Sequence, residues 1–280
     1  MPCLPEIKQL IESELQTDRA YDDVTTRLLG AKFPPCEALI RTKDSGVFCG
    51  EAVVGAFKQI YEGEAEFHCL STDGRSFETG TSVVQIKTTV GLCLTLERTL
   101  INFLAHLSGV ATLTHKFVEQ VEGYPTKILA TRKTLPGLRE LQLMAVRAGG
   151  GHIHRRNLSD GILIKDNHLA FLGEQDVLQR ARQHRSPLHR IEIECQSLES
   201  VEKALLNPPD VIMLDNFSLE EMKTAVALIG KRCEIEASGG MDLTKVKAVA
   251  ALGVQYISVG LLTHSAPSMN LSLDILPNRI

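Results

Sequence analysis

The chain has 280 residues, 44% of them hydrophobic and 23% charged, with a formal net charge of −4 and no tryptophan. That length holds one large or two ordinary domains around a sizeable core, and a mildly acidic whole with few aromatics argues against a nucleic-acid binder. The N-terminus, MPCLPEIKQLIESEL, carries charges where a signal peptide would have its apolar run, and no uncharged apolar segment reaches membrane-spanning length. Seven cysteines without a C-x-x-C pair speak against a disulfide framework or structural zinc and for a reducing cytoplasm.

In chain order, Ile7, Leu10, Ile11 and Leu15 predict an amphipathic helix, and Asp22-Asp23-Val24-Thr25-Thr26 a capped turn. Strands are expected at 37–43, 65–70 and 81–88, with a helix at 51–61 between the first two, an α+β arrangement. Leu96, Leu100, Phe103, Leu104 and Leu107 mark a strongly periodic helix. Arg98 lies about 200° from Leu96 around its axis and so reads as a surface arginine. From about residue 110 the pattern becomes strand then helix. Strands are expected at 127–131, 161–165, 190–195, 210–215, 233–238 and 256–260, with helices near 174–185, 198–206, 219–229 and 243–252. Ser218 with Glu221 forms a capping box, and Gly230 and Gly253 stand where helices end. Such alternation means parallel strands with crossover helices, six of them legible against the eight of a closed barrel.

Charge is concentrated in one place. Residues 131–168 carry a formal +4, while the rest of the chain sums to −8. Arg132 and Lys133 leave the end of the apolar run KILAT. Leu138, Leu141, Ala145 and Ala148 then predict a helix with Pro136 near its first turn and Gly149 at its stop. Gly149, Gly150 and Gly151 allow backbone geometries closed to other residues and close approach of a ligand. His152, His154 and Arg155 emerge from that glycine loop, and Lys165-Asp166-Asn167-His168 ends the next strand. Arg139, Arg147 and Arg156 read as solvated surface. Arg132, Lys133, Arg155 and Lys165 sit beside strand ends or the glycine loop, where α/β folds put ligands, and suggest an anionic small molecule.

Strand parity assigns faces. In Ile191-Glu192-Ile193-Glu194 the isoleucines share one side and the glutamates the other, so the glutamates face the barrel interior. Glu194 is nearer the strand end; Glu192 is deeper and needs a partner. Asp215 also ends its strand. Inward carboxylates need a counter-charge, from Lys/Arg or a bound Mg²⁺. Ser238-Gly239-Gly240, ahead of a helix expected near Asp242, and Gly260 after the last strand form glycine loops of the kind that hold phosphate. Cys195, next to Glu194, faces the opposite way.

The ordered motifs TRKT-x-PG-x-R (131–139), GGG-H-x-HR (149–155) and KDNH (165–168) resemble quinolinate phosphoribosyltransferases, the carboxylating nicotinate-nucleotide pyrophosphorylases. The similarity extends over DDVTTRLL (22–29), GVFCG (46–50), ERTLINFLAHLSGVATLT (97–114), IEIE (191–194), LDNF (214–217), EASGG (236–240) and VGLLTHS (259–265). Ala130, Ile153 and Asn270 depart from the common pattern, the first toward a molybdenum-transport-associated sister group that shares TRK and GGG but lacks KDNH. The resemblance implies an incomplete, about seven-stranded parallel α/β barrel at 110–265. An α+β N-terminal domain at 1–109 would precede it, with the tail 266–280 packing on that domain. It implies transfer of phosphoribose from phosphoribosyl pyrophosphate to quinolinate with loss of CO₂, dependent on Mg²⁺ and on no organic cofactor.

The resemblance also implies residue roles. Arg132, Lys133, His154, Arg155 and an Arg98 donated by the other subunit of a homodimer, or of a larger assembly, would clamp quinolinate. Lys165 would sit between pyridine and pyrophosphate, and Glu194 and Asp215 would hold ribose hydroxyls and Mg²⁺. Thr131, Ser238, Gly239, Gly240, Val259, Gly260, Leu261 and His264 would line the phosphoribosyl site, and Lys133, Lys165, Glu194 and Asp215 would serve the chemistry. Three rivals stand beside it: a sister phosphoribosyltransferase with another acceptor, a non-catalytic nucleic-acid binder, and a metal-dependent barrel hydrolase using His152, His154, Lys165, His168 and Asp215. In such a hydrolase the His-x-His pair should end an apolar strand; here it follows three glycines.

Overall fold

The computed structural model describes residues 4–29, 33–172 and 174–276. The chain forms two compact units: one comprises the residues up to His115, Leu135–Gly150 and those from Ala266 on, the other Lys116–Thr134 and Gly151–Ser265.

In the first unit, helix α1 (Leu4–Thr17) buries Ile7, Ile11 and Leu15 and packs on a later helix; the short α2 (Val24–Leu28) follows, capped by Asp23, whose carboxylate accepts from the Thr25 and Thr26 amides. Strand β1 (Pro35–Thr42) and the two-residue β2 (Gly46–Val47) lead into α3 (Glu51–Ile60), the helix that α1 covers. Then come β3 (Glu66–Cys69), β4 (Ser76–Phe77), paired with β2, and β5 (Ser82–Thr89). The C-terminal strand Leu271–Leu276 joins β1, giving an antiparallel sheet in the order C-terminal strand, β1, β5, β3. Phe57 stacks against Phe67, ring centroids 5.9 Å apart, tying α3 to that sheet.

The periodic helix runs much further than its apolar stripe suggests: α4 covers Val90–Gln120. Among the described residues it is the one helix long and apolar enough to cross a membrane, yet Leu96, Leu100, Leu104 and Leu107 are almost wholly buried, as in a core helix. Helix α5 (Arg139–Ala148) starts later than expected. A turn from Leu135 to Leu138, with Gly137 at φ 78°, absorbs Pro136, and Leu138 rather than proline leads the helix. At its far end Gly149 lies so near α4 that a Cβ would stand 2.3 Å from the Ala111 carbonyl oxygen. That glycine is required by helix packing, not by a ligand.

The second unit is a curled sheet of seven parallel strands. β6 (Lys127–Ala130), β7 (His152–Ile153) and β8 (Ile162–Ile164) come first. Helices α6 (Asp166–Leu172) and α7 (Glu174–His184) precede β9 (Ile191–Cys195), and α8 (Leu198–Ala204) leads to β10 (Val211–Asp215). Helix α9 (Leu219–Ile229), with the Ser218–Glu221 capping box formed, is followed by β11 (Glu234–Ser238), α10 (Val246–Ala250), β12 (Tyr256–Val259) and α11 (Leu261–His264). The order β7-β6-β12-β11-β10-β9-β8 leaves β7 and β8 as unpaired edges, so the barrel is incomplete as the resemblance implies. Ile191, Ile212, Ala237, Ile257 and Val259 are fully buried, as are Val201, Ala225 and Val246 from the covering helices. Each buried Val or Ile among them contributes about 1.5–3 kcal/mol.

Two differences from expectation bear on function. The His-x-His pair does enter from a strand: β7 is two residues long, too short for any periodicity, but it pairs in register with Leu129 and Ala130. KDNH does not end a strand; it begins α6. His168 turns back so that its Nδ1 accepts the Lys165 backbone N–H at 2.9 Å.

Candidate active site

Strand ends supply the charged groups. At the end of β6, the Thr131 hydroxyl accepts the Lys133 N–H at 3.1 Å, which fixes the turn carrying Arg132 and Lys133. His154 stays on the ladder through its N–H to the Ala130 carbonyl at 3.2 Å, and Arg155 follows it. Ala130 itself is fully buried. The Arg132 Nε is buried with no hydrogen-bond partner. Arg155 donates only to the Gly161 carbonyl among the described residues, and burial and then the nearby Arg132 charge push its guanidinium below the usual arginine range. Arg132, Lys133 and Arg155 form no salt bridge among the described residues, although the Glu192 charge acts on Arg155. Two guanidinium groups held near one another, one with a buried orphan donor, form a site for an anion.

Opposite them lie carboxylates. Glu194, 7% exposed, pairs with the Lys165 ammonium at 2.5 Å. The registers β8–β9 and β9–β10 set Ile164 beside Ile193 and Met213 beside Glu194, which brings the end of β8, and Lys165 with it, across from Glu194. Asp215, at the end of β10, accepts from Asn216 Nδ2 at 2.8 Å. Asn216 has φ 60° and approaches the next loop so closely that a Cβ on Gly239 would stand 2.2 Å from its side-chain oxygen.

Gly239 (φ 86°) and Gly240 (φ 57°) adopt successive left-handed conformations, a backbone shape whose amides can face an anion. The helix expected near Asp242 begins only at Val246, because Asp242 Oδ1 draws the Thr244 and Lys245 amides into a turn. The glycine backbone, not a helix N-terminus, is therefore what Ser238–Gly240 offers. Lys245, absent from the sequence-derived set, brings its ammonium to 3.2 Å from the Gly240 carbonyl. Val259 is buried; Gly260, Leu261 and His264 gather at the end of β12. A Cβ on Gly260 would be 3.1 Å from His264 Nε2 and 3.2 Å from Lys133 Cδ, so that end of the sheet adjoins the TRK turn.

The largest omission from the sequence-derived set is Glu236. It is 1% exposed, accepts from the Ser258 hydroxyl, and lies 3.5 Å from His154 Nε2, which also bonds Glu192 at 2.5 Å. Burial, then the Glu192 charge, push the Glu236 carboxyl up to about 8. Burial alone would lower His154, but the Glu192 hydrogen bond and the Glu236 and Glu192 charges outweigh it and raise the imidazole. The signal was present: Glu234-Ile235-Glu236 repeats the alternation of Glu192-Ile193-Glu194 one pair of strands along.

One nitrogen and two carboxylate oxygens of His154, Glu192 and Glu236 lie within 4.8 Å of one another. Donor atoms around a tetrahedral zinc stand about 3.3 Å apart, given metal–ligand distances of ~2.0–2.1 Å. The 2.5 Å separation of Nε2 and Oε2 is instead that of a hydrogen bond. Among the described residues the metal-capable donors that converge are those of His154, Glu192 and Glu236, and His152, His168 and Asp215 are not with them, so the hydrolase constellation is not assembled.

Arg98 belongs to the first unit. It is exposed on α4, beside a cavity of about 410 Å³ lined also by Asn102, His106 and Leu138.

The family model for the quinolinate phosphoribosyl transferase C-terminal domain matches residues 110–274, and that for the N-terminal domain matches residues 23–108. The chain belongs to the quinolinate phosphoribosyl transferase family. A probable nicotinate-nucleotide pyrophosphorylase [carboxylating] of Bacillus subtilis is 35% identical over 271 residues, spanning 96% of this chain and 93% of that protein. The nicotinate-nucleotide pyrophosphorylase [carboxylating] of Mycobacterium leprae is 35% identical over 282 residues, 96% of each chain. The solved nicotinate-nucleotide pyrophosphorylase of Francisella tularensis superposes with a TM-score of 0.91 at 33% identity, covering 99% of this chain and 98% of that one.

Proposed function

We propose that the protein is a cytoplasmic carboxylating nicotinate-nucleotide pyrophosphorylase. It takes quinolinate and phosphoribosyl pyrophosphate to nicotinate mononucleotide, pyrophosphate and CO₂, a step of NAD biosynthesis. One observation carries the assignment to this chain: the Arg132 and Arg155 charges lie near enough to repel, neither forms a salt bridge among the described residues, and the buried Arg132 Nε has no hydrogen-bond partner. Two like charges 4 Å apart cost about 4 kcal/mol at an effective dielectric of 20, so such a cluster is built for a ligand with more than one negative charge. Quinolinate, with two adjacent carboxylates, matches it, and guanidinium grips carboxylate bidentately.

Arg132, Arg155 and His154 orient the pyridine so that its nitrogen faces C1 of the ribose. Glu194 and Asp215 hold the ribose hydroxyls and offset the positive charge that develops at C1 as pyrophosphate departs. Lys133 joins the acceptor clamp, Lys165 sits between the pyridine and the leaving pyrophosphate, and the Ser238–Gly240 and Gly260–Leu261 backbone takes the 5′-phosphate. Once the ring nitrogen is ribosylated, the cationic ring accepts the electron pair left when the adjacent carboxylate departs as CO₂, and C2 is then protonated. Mg²⁺ suits hard carboxylate oxygens such as those of Asp215 and Glu194 and supplies charge neutralisation on pyrophosphate when bound. Arg98 completes the acceptor clamp from the second subunit of a homodimer.

Release of labelled CO₂ from carboxyl-labelled quinolinate in the presence of phosphoribosyl pyrophosphate and Mg²⁺ tests the assignment. Stoichiometric CO₂ and nicotinate mononucleotide are expected, with nicotinate, which has one carboxylate, a far poorer acceptor. Turnover of nicotinate but not of quinolinate would replace this reading with that of a sister transferase.

A further inference from the structure

Beside Arg155, in one cavity with it, His154, Glu192 and Glu236 set one imidazole against two carboxylates, and neither Arg132 nor Lys133 is paired to them. We propose that Glu236 is a positioning residue for the acceptor: it stays protonated beneath the site, so that Glu192 alone balances a cationic His154 and the His154 Nδ1–H is left to hold one carboxylate of quinolinate. The inference rests on the acceptor assigned above.

Geometry supports each part. His154 Nε2 is engaged by Glu192 Oε2 at 2.5 Å, so Nδ1 is the ring nitrogen available to a ligand, and among the described residues no protein group bonds it. The other Glu192 oxygen, Oε1, is buried with no donor in reach when Glu236 is counted as an acceptor only. A proton on Glu236 can supply that donor, because the two carboxyls meet at the same His154 nitrogen, with Glu192 Oε2 2.5 Å and Glu236 Oε2 3.5 Å from Nε2. Ser258 already donates to the remaining Glu236 oxygen. With Glu236 protonated the triad is neutral; with it ionised the triad carries a negative charge in the cavity it shares with Arg155, which meets a dianionic substrate.

The surroundings leave few other charges to compensate. Glu192 faces His154 from β9 and Glu236 faces it from β11, while Arg155 follows it on its own segment, with Arg132 beside Arg155. From β10, Val211 lines the same cavity; Tyr256 enters from β12, Arg190 from the start of β9 and Asp160 from the turn before β8. Arg190 is tied to Glu234, and Lys165 to Glu194.

The test compares wild type with Glu236→Gln, the neutral isostere of the proposed state. Quinolinate binding is measured by calorimetry from pH 6 to pH 9.5 alongside KM and kcat. The ring nitrogens of His154 are followed by NMR without ligand, and assigned by their loss in His154→Asn. In wild type, affinity should weaken by up to about tenfold per pH unit once Glu236 ionises, since only the protonated fraction is competent, with KM rather than kcat carrying the change. The His154 signals should move over the same interval. Glu236→Gln should remove both steps while binding as wild type does near pH 6.5.

Should Glu236→Gln fail to fold, Glu192→Gln serves instead: His154 should then titrate at lower pH and quinolinate affinity at pH 7 should fall. A His154 step that persists unchanged in Glu236→Gln overturns the proposal. So does a stoichiometric metal ion in the purified protein that this substitution abolishes. A His154 step abolished by Glu236→Gln in a protein that binds no quinolinate at any pH would instead sink the acceptor assignment and leave the proton on Glu236 standing.

Discussion

Glu194 is a nearly buried carboxylate whose ion-pair partner is a half-exposed lysine, so Lys165 has two duties that substitutions can separate. Lys165→Met leaves Glu194 without a counter-charge and should lower stability by roughly 1–2 kcal/mol, less than for a fully buried pair because solvent reaches the lysine. Adding Glu194→Gln should restore most of that stability, read from urea melts, while phosphoribosyl transfer stays lost. Arg155→Ala should act differently, relieving repulsion with Arg132 and leaving the empty protein as stable or slightly more so. The rise in melting temperature that saturating quinolinate gives by mass action should shrink with it. The buried triad sets a pH dependence whose sign is fixed. His154 and Glu236 both hold protons more tightly in the fold than in the unfolded chain, so the fold binds more protons than its reference state. Their contribution is full in mild acid, below 6.5 for the imidazole and 4.5 for the carboxyl, and is lost as pH rises through the folded values. Calorimetric melting temperatures should therefore decline between pH 6 and pH 9, and the slope should flatten in Glu236→Gln.

At the level of elements, what could be read from sequence depended on how many residues each signal had to repeat over. The barrel strands β6 and β8–β12, the helix α9 with its capping box and the inward parity of Ile191–Glu194 stood out, all but β8 carried by runs of four or more residues. β7 has two residues and α6 begins inside a motif whose polar spacing hides a helix, so neither had a period to detect. Glu236 was legible only by comparing one strand with another, since its importance comes from the β10–β11 and β9–β10 registers and not from its neighbours in sequence. The glycine triplet was visible but its use was not. Gly149 serves the crossing of α5 on α4, and Gly149→Ala, forcing a Cβ against the Ala111 carbonyl, should cost about 1–3 kcal/mol by overpacking. In α6, His168→Ala removes the acceptor of the Lys165 amide and should cost about 1 kcal/mol, as loss of a helix-end cap does. Its larger effect should be on KM for phosphoribosyl pyrophosphate, because the same turn aims Lys165.

For the whole molecule, the question is how many chains make one site. Arg98 is an exposed cation on a helix of the first unit, beside a cavity that holds Asn102 and His106, and its side chain has no acidic partner among the described residues. The clamp in the barrel unit has Arg132 and Arg155 but faces an acceptor with two carboxylates and a ring, which leaves room for a further cation from a second chain. If Arg98 is that cation, Arg98→Ala and Arg155→Ala are each nearly inactive alone but damage different halves of a shared site. In the proposed homodimer, mixing equal amounts after reversible dissociation would give heterodimers in half of the molecules. In each, one site collects both substitutions and the other collects neither, so activity should return to about a quarter of wild type, as two-fold symmetry dictates. An arginine acting within its own chain predicts no recovery at any mixing ratio, because every site would keep one defect. Sedimentation of the mixture alongside the assay separates the two cases: recovery must track the heterodimer fraction, and activity that stays at the level of the parents while heterodimers form would exclude donation across the subunits.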